Sequence, residues 1–324
     1  MRIGDLEIQG QVVLGPMAGV TTLAYREFMK PFGVGLSYSE MISDCGIDYG
    51  NAKTIEYLKT STLDRPVGLQ IFGFNADSAI KAIAYLESNA QYDILDVNLG
   101  CPVYKVVKTG AGSAWLKRPQ ELFTYISKIC GVSHKPVTAK IRLGWDEQSI
   151  NVLEIAPMLE RAGVAAITVH CRTSKQGYEG QADYSAIASL KDRLSIPLIV
   201  SGDIFSPEDA LKAVTITKAD AVMVARGGLG NPFLVTQINQ ILDTGHYDPH
   251  PDVITQVGYA ADFSKRLIAL KGEYIAIKEL RGLVPHFFSG FPGYKKIRAE
   301  IAMNINTESD LLALLDGIKK RQGC

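Results

Sequence analysis

The sequence predicts an α/β protein: a (β/α)8 TIM barrel followed by a small all-helical domain. Three observations carry this. Eight short apolar, β-branched runs recur with helical patterns between them. Nearly all of those runs end on a polar or charged residue or a glycine-rich turn, as barrel strands do where chemistry gathers. Beyond Pro232 the alternation stops and only helical periodicity remains.

The runs centre near Val13, Leu36, Leu69, Leu95, Ala139, Thr168, Ile199 and Met223. The interval between the fourth and fifth is the longest, and it begins Asp96-Val97-Asn98-Leu99-Gly100-Cys101-Pro102. Long loops inside compact domains are usually functional. This one presents a thiol just past a strand, read from the sequence as exposed. Ser206-Pro207-Glu208-Asp209 supplies a cap, a proline at the first helical position and first-turn acids. Ala162-Gly163 ends another helix before the sixth run. The turn-rich stretch 243–252 reads as a linker, which divides the chain into a barrel at 1–245 and a helical domain at 246–324. Helices are expected near 252–271, 273–288, 292–304 and 307–321, the last behind the capping signal Thr307-Glu308-Ser309-Asp310.

Composition bounds the function classes. Hydrophobic residues make up 47% and charged residues 21% of the 324, an ordinary globular balance. No apolar run approaches the roughly 18 residues of a membrane-spanning helix. Asp5 and Glu7 stand where a signal peptide needs an apolar core, so a cytoplasmic protein is expected. Five scattered cysteines without a Cys-x-x-Cys pair argue for reduced thiols, against a disulfide framework and against a metal site. Thirty-four basic and 34 acidic residues cancel, so bulk charge announces no nucleic-acid partner.

The run ends offer Pro16-Met17-Ala18, Glu40-Met41, Gln70, Asn98, Lys140, His170, Ser201-Gly202-Asp203 and Ala225-Arg226-Gly227-Gly228. The last two groups read as a phosphate site, because barrels bind phosphate in the loops after strands 7 and 8. Lys140 and Gln70 narrow the ligand. A cation opposite the pyrimidine side of a flavin stabilises its anionic reduced ring, and an amide matches the ring's carbonyl and N–H edge. Pro16-Met17-Ala18 would form an apolar wall. FMN therefore fits better than a dinucleotide, and no Gly-x-Gly-x-x-Gly follows the first run.

Several of these motifs together resemble the tRNA-dihydrouridine synthases, and most resemble the bacterial B-type branch. They are Pro16-Met17-Ala18-Gly19-Val20-Thr21, Ser39-Glu40-Met41, Gln70-Ile71-Phe72-Gly73, Asn98-Leu99-Gly100-Cys101-Pro102, Lys140-Ile141-Arg142-Leu143-Gly144-Trp145, His170-Cys171-Arg172-Thr173 and Ser201-Gly202-Asp203-Ile204. Leu99 stands where Met or Ala is commoner, and Ala225 where many members have Gly. The resemblance implies that FMN, reduced by NADPH, reduces the C5–C6 bond of a uridine in tRNA. It implies flavin contacts at Pro16, Met17, Ala18, Gln70, Lys140, His170, Ser201, Gly202, Asp203, Ala225 and Arg226. Cys101 would protonate C5 after hydride reaches C6. A thiol with an ordinary pKa of about 8.5 is protonated near neutrality and can donate.

A base modified in this way must leave its stack, so a surface must grip the surrounding RNA. Asn98 is a candidate for hydrogen bonding the flavin or the base edge. Lys105, Lys108, Arg172, Lys278, Arg281, Lys295 and Arg298 are candidates for the backbone. The expected partner is tRNA, with no membrane and no metal, and the expected state is a monomer. The nearest rival is a small-molecule FMN barrel of the dihydroorotate or dihydropyrimidine dehydrogenase type. A flavin-free RNA-binding or scaffolding protein is the other.

Overall fold

Each of the eight apolar runs forms a strand in the computed structural model, which describes residues 1–322. They are β1 (Val12–Leu14), β2 (Leu36–Ser43), β3 (Val67–Phe72), β4 (Ile94–Asn98), β5 (Val137–Arg142), β6 (Ala166–His170), β7 (Leu198–Ser201) and β8 (Ala221–Val224). They pair in parallel and in chain order, and β8 returns to β1 to close the barrel. Parallel strands are covered on both faces, which is why the runs read as continuously apolar. All four residues of β8 are buried.

Around the barrel axis Val13, Leu36, Ile94, Ile199 and Met223 form one cluster. The short antiparallel ribbon Arg2–Ile3 with Leu6–Glu7 adds Ile3 to it, and Ile8, just past the ribbon, joins as well. The Tyr38 ring also enters the axis. It fits because residue 68 is glycine: a Cβ there would lie 2.4 Å from Tyr38 Cε1.

Strand β2 runs further than expected, to Ser43, and its register against β3 shifts between Tyr38 and Met41. At this bulge Ser39 Oγ accepts the Gln70 amide at 3.0 Å, and the Glu40 carboxylate accepts the Gly19 N–H at 2.6 Å. Glu40, Met41, Gln70 and Lys140 thus lie inside strands rather than after them. The Ser206 box forms as expected, with Ser206 Oγ accepting from Asp209 and Asp209 accepting from Ser206.

The helical region comprises Val253–Lys271, Glu273–Leu283, Tyr294–Asn304 and Glu308–Gln322. The helix expected over 273–288 stops at Leu283, because Pro285 has no N–H to continue it, and the chain tightens into a 3-10 turn over Val284–Phe288. The Thr307 capping box forms through Thr307 Oγ1 and Asp310.

This region packs directly on the barrel. Phe263 lies 5.7 Å from the Tyr25 ring and 5.5 Å from Phe28, in the barrel helix Leu23–Met29, and Phe287 lies 5.9 Å from Phe28. Tyr259 meets Phe32 edge-on at 5.0 Å. One buried cluster runs from the barrel's outer layer into the helices. Among the described residues no helix is long and apolar enough to cross a membrane, and no cluster of His, Cys, Asp or Glu could hold a metal ion.

Candidate active site

Parallel pairing aligns the strand ends, so their polar residues converge on one mouth. In register, Asn98 lies beside Lys140, Arg142 beside His170 and His170 beside Ser201. The floor of the mouth is a buried chain of hydrogen bonds. Tyr38 Oη meets Thr138 Oγ1 at 3.1 Å, and Thr138 donates to Asp96 at 2.6 Å. Gln70 Nε2 donates to the other Asp96 oxygen at 2.5 Å, and Asn98 Nδ2 donates to Gln70 Oε1 at 2.8 Å. Asn98 Oδ1 then accepts the backbone N–H groups of Gly100 and Cys101, at 3.2 and 2.9 Å.

Cys101 is therefore held by its own backbone. Its carbonyl accepts from Ser113 N and Ser113 Oγ. Arg142, 2% exposed, donates to Gly100 O at 2.8 Å and to Thr173 O at 2.7 Å, tying the thiol loop to the loop after β6. The thiol, expected exposed, is buried. It packs with Val106 and Ala111 of its own loop and with Met41 and Phe72. The apolar residues following the motif fold back over it, a contact that no pattern in the motif itself announces.

At the opposite side of the mouth the turns after β7 and β8 face each other. Gly202 and Asp203 have φ of +119° and +50°, left-handed backbone that costs a non-glycine residue strain. The N–H groups of Gly202, Arg226 and Gly227 donate to nothing within the described residues. With the half-exposed Arg226 guanidinium they form an anion cradle.

Burial dominates the electrostatics. It pushes the Asp96 carboxyl up to about 7, against hydrogen bonds from Gln70 and Thr138. Burial and then the Arg142 charge bring Lys140 down to about 8. Burial, followed by Lys140, Arg142, Arg172 and Arg226, keeps His170 neutral, and its Nε2 is buried without a partner. Burial raises the Cys101 thiol above its ordinary value, while Arg142 and Lys140 pull against it. Lys140 Nζ makes no ion pair or hydrogen bond among the described residues. The site thus holds a cation and a neutral imidazole with unmet hydrogen-bonding capacity.

A family model described as Dihydrouridine synthase (Dus) matches residues 13–322. The chain belongs to the dihydrouridine synthase family. Similar proteins include Probable tRNA-dihydrouridine synthase 1 of Synechocystis sp., 34% identical over 98% of this chain and 88% of that one. The tRNA-dihydrouridine synthase B of Pseudomonas aeruginosa is 32% identical over 99% of this chain and 97% of its own. That of Pasteurella multocida is 38% identical over 75% and 73%. Among solved structures, an old yellow enzyme homologue from Zymomonas mobilis superposes with a TM-score of 0.53 at 12% identity. It covers 79% of this chain and 94% of that one, and the likeness is one of fold.

In this dihydrouridine synthase Pro16, Met17, Lys140, His170, Ser201, Gly202, Asp203, Ala225 and Arg226 line one cavity. Ala18 does not; it is exposed on the rim. Gln70, expected against the ligand, is fully buried beneath it, with both ends of its amide bound to Asp96 and Asn98. Asn98, expected at the flavin or the base edge, spends its amide on Gln70 and the Cys101 loop. Arg172, expected to meet RNA, is 2% exposed and forms a bidentate pair with Asp203 at 2.8 and 2.7 Å. Arg281 reaches Ile305 O and Asn306 Oδ1, bracing the helical region. Lys105, Lys108, Lys278, Lys295 and Arg298 are exposed, and Lys278 lies 3.7 Å over the Tyr274 ring. Sequence reasoning missed Arg142 as a loop tie and Tyr178 in the cavity wall, where Arg226 lies 4.8 Å from its ring. Arg142, in a motif already singled out for Lys140, was the available signal.

Proposed function

We propose that this chain is an FMN-dependent tRNA-dihydrouridine synthase, reduced by NADPH and acting in the cytoplasm as a monomer. One observation carries the reading: a pinned, protonated thiol stands beside a cavity whose Lys140 ammonium and His170 Nε2 have no partner among the described residues. The donor set fits flavin mononucleotide. The free N–H groups of Gly202, Arg226 and Gly227 with the Arg226 guanidinium would hold its phosphate, and Lys140 with His170 would meet the polar edge of its ring. Pro16 and Met17 would wall one side. When bound and reduced, FMN supplies hydride to C6 of the uracil.

Cys101 Sγ gives its proton to C5, so that each turnover consumes one NADPH and one proton. Burial keeps the thiol protonated until the base arrives, and the Arg142 and Lys140 charges then stabilise the thiolate left behind. Asn98 and Arg142 hold the Cys101 backbone in place. Because Val106 and Ala111 cover the thiol, their loop has to yield as the extruded base enters. Exposed Lys105 and Lys108 on that loop, with Lys278, Lys295 and Arg298 of the helical domain at 246–324, take the flanking phosphates.

The test is Cys101→Ala. The purified variant should stay yellow and accept electrons from NADPH, yet lose on the order of 10²–10⁴-fold in dihydrouridine formation on tRNA. Wild-type turnover in the variant removes Cys101 from the mechanism, and a colourless wild-type protein that cannot be reconstituted with FMN removes the cofactor.

A further inference from the structure

A second crevice lies on the other side of the Arg226–Gly227 turn, between the loop after β8 and the helical region. Its volume is about 420 Å³. Two residues in its wall, Asn231 and Gln256, each carry a buried amide oxygen, Oδ1 and Oε1, with no donor among the described residues. Gln256 is 1% exposed, and its Nε2 is anchored against His250 Nε2 at 3.2 Å. A buried acceptor without a partner costs roughly 1–3 kcal/mol, so native proteins rarely leave two in one crevice unfilled. The missing partner must donate.

The remaining wall is flat-faced and cationic. Phe205, His250 and His286 offer ring surfaces, and buried Phe287 backs them. Burial lowers the pKa of both histidines, with Arg298 adding to the effect at His286. They are therefore neutral near pH 7 and present themselves as rings. Charge comes from Arg226, which also lines the first cavity and lies over the rings of Tyr178 and Phe205. A planar ring carrying an amine, joined to an anion, satisfies every one of these groups.

We propose that this crevice is an adenylate subsite, with the exocyclic amine of adenine donating to Asn231 and Gln256 and the phosphate turned toward Arg226. Adenine's amine has two N–H bonds, whereas uracil presents a carbonyl there with a single N3–H beside it and would leave at least one acceptor unpaired. The same chemistry arrives with the adenosine half of a dinucleotide reductant or with an adenosine of tRNA. Both sources rest on the function proposed above, the first on its reductant and the second on its tRNA substrate.

The experiment is calorimetric titration of 5′-AMP into the full-length protein, with 5′-UMP as the control. Gln256→Leu and Asn231→Ala are titrated alongside. We expect saturable 5′-AMP binding, 5′-UMP weaker by about tenfold or more, and Kd raised about tenfold in each variant. An unfolding midpoint for each variant within about 2 °C of wild type shows that loss of binding is not loss of fold. Failure of 5′-AMP to saturate the wild type overturns the inference and leaves a water-filled crevice. So does equal binding by the variants or by 5′-UMP.

Two further measurements assign the source. A dinucleotide subsite raises KM for NADPH in the variants but not for reduced nicotinamide mononucleotide, while an RNA subsite raises the Kd for tRNA. No change in either overturns a functional role. Binding of 5′-AMP needs no flavin, so a colourless protein that cannot be reconstituted with FMN yet binds 5′-AMP would refute the flavin reading and leave this one standing.

Discussion

Replacing Asp203 with asparagine changes one atom of a carboxylate that accepts three hydrogen bonds. Arg172 Nη1 donates to Oδ1 at 2.8 Å; Arg172 Nη2 and the Ala182 N–H donate to Oδ2 at 2.7 and 2.8 Å. In Asp203→Asn an amide nitrogen replaces one of these oxygens. Whichever way the amide turns, at least one N–H of Arg172 faces a donor instead of an acceptor. Arg172 is 2% exposed, so its guanidinium is left buried without an anion. Breaking a buried pair from one side costs about 3–5 kcal/mol. Asp203 is a quarter exposed, which places the cost near the lower end, about 3 kcal/mol. At roughly 2 °C per kcal/mol for a chain of this size, the midpoint of thermal unfolding should fall by about 6 °C.

The pH dependence has a fixed sign. Burial alone would raise the Asp203 carboxyl, but the bonds from Arg172 and Ala182 outweigh it and hold its pKa below the ordinary carboxylate range. Its stabilisation is therefore present above about pH 4 and lost as pH falls through the lower, folded value. The gap between wild type and variant, followed by circular dichroism during heating, should be full at pH 7 and close below about pH 4. Arg226, 3.8 Å from Asp203, loses its anchor as well, so less FMN should copurify. A midpoint shift under about 1 °C, or a gap of the same size at pH 3.5 and pH 7, would refute the assignment of Asp203 as the counter-ion of Arg172.

Phe263→Ala removes a ring that touches Tyr25, Phe28 and Phe287 and should cost about 3–4 kcal/mol; a probe in the barrel and one in the helices should report the same single transition. Two transitions, with the barrel unmoved, would contradict the shared core. In flavin-free protein the charged Lys140 is disfavoured, its pKa standing near 8 against an ordinary 10.4. Wild-type stability should therefore rise between about pH 8 and 10, and Lys140→Met should abolish that rise in denaturant titrations while weakening flavin binding. Alanine at Lys105, Lys108, Lys295 or Arg298 should weaken tRNA binding at constant flavin content. Each should lower the slope of log Kd against log salt by up to about 1, and slopes unchanged across the set would remove these residues from the RNA face.

The barrel was legible because its signal is local. A run such as Ala221-Val222-Met223-Val224 declares a strand buried on both faces, and chain order then settles parallel pairing. Strand-end chemistry was legible for the same reason: Lys140 and His170 are polar residues that an apolar strand does not need. What could not be read is which residues spend their polarity on each other. Gln70 and Arg172 look like ligand contacts until the fold brings Asp96 and Asp203 against them from neighbouring strands. Cys101 looks exposed until Val106 and Ala111 double back, and Arg281 looks free until Asn306 arrives. Side-chain type announces a capacity to bind, and tertiary structure decides the recipient.

The aromatic contact between Phe28 and its partners Phe263 and Phe287 has a bearing on how the protein is made. The barrel helix Leu23–Met29 emerges early in synthesis, whereas the rings that cover its outer face belong to the last quarter of the chain. At about 5–20 residues per second, Tyr25 and Phe28 wait on the order of ten seconds or more with that face bare. A nascent chain in this state displays an aromatic patch suited to chaperone capture. A ribosome stalled before residue 263 would release a barrel lacking the rings that cover it.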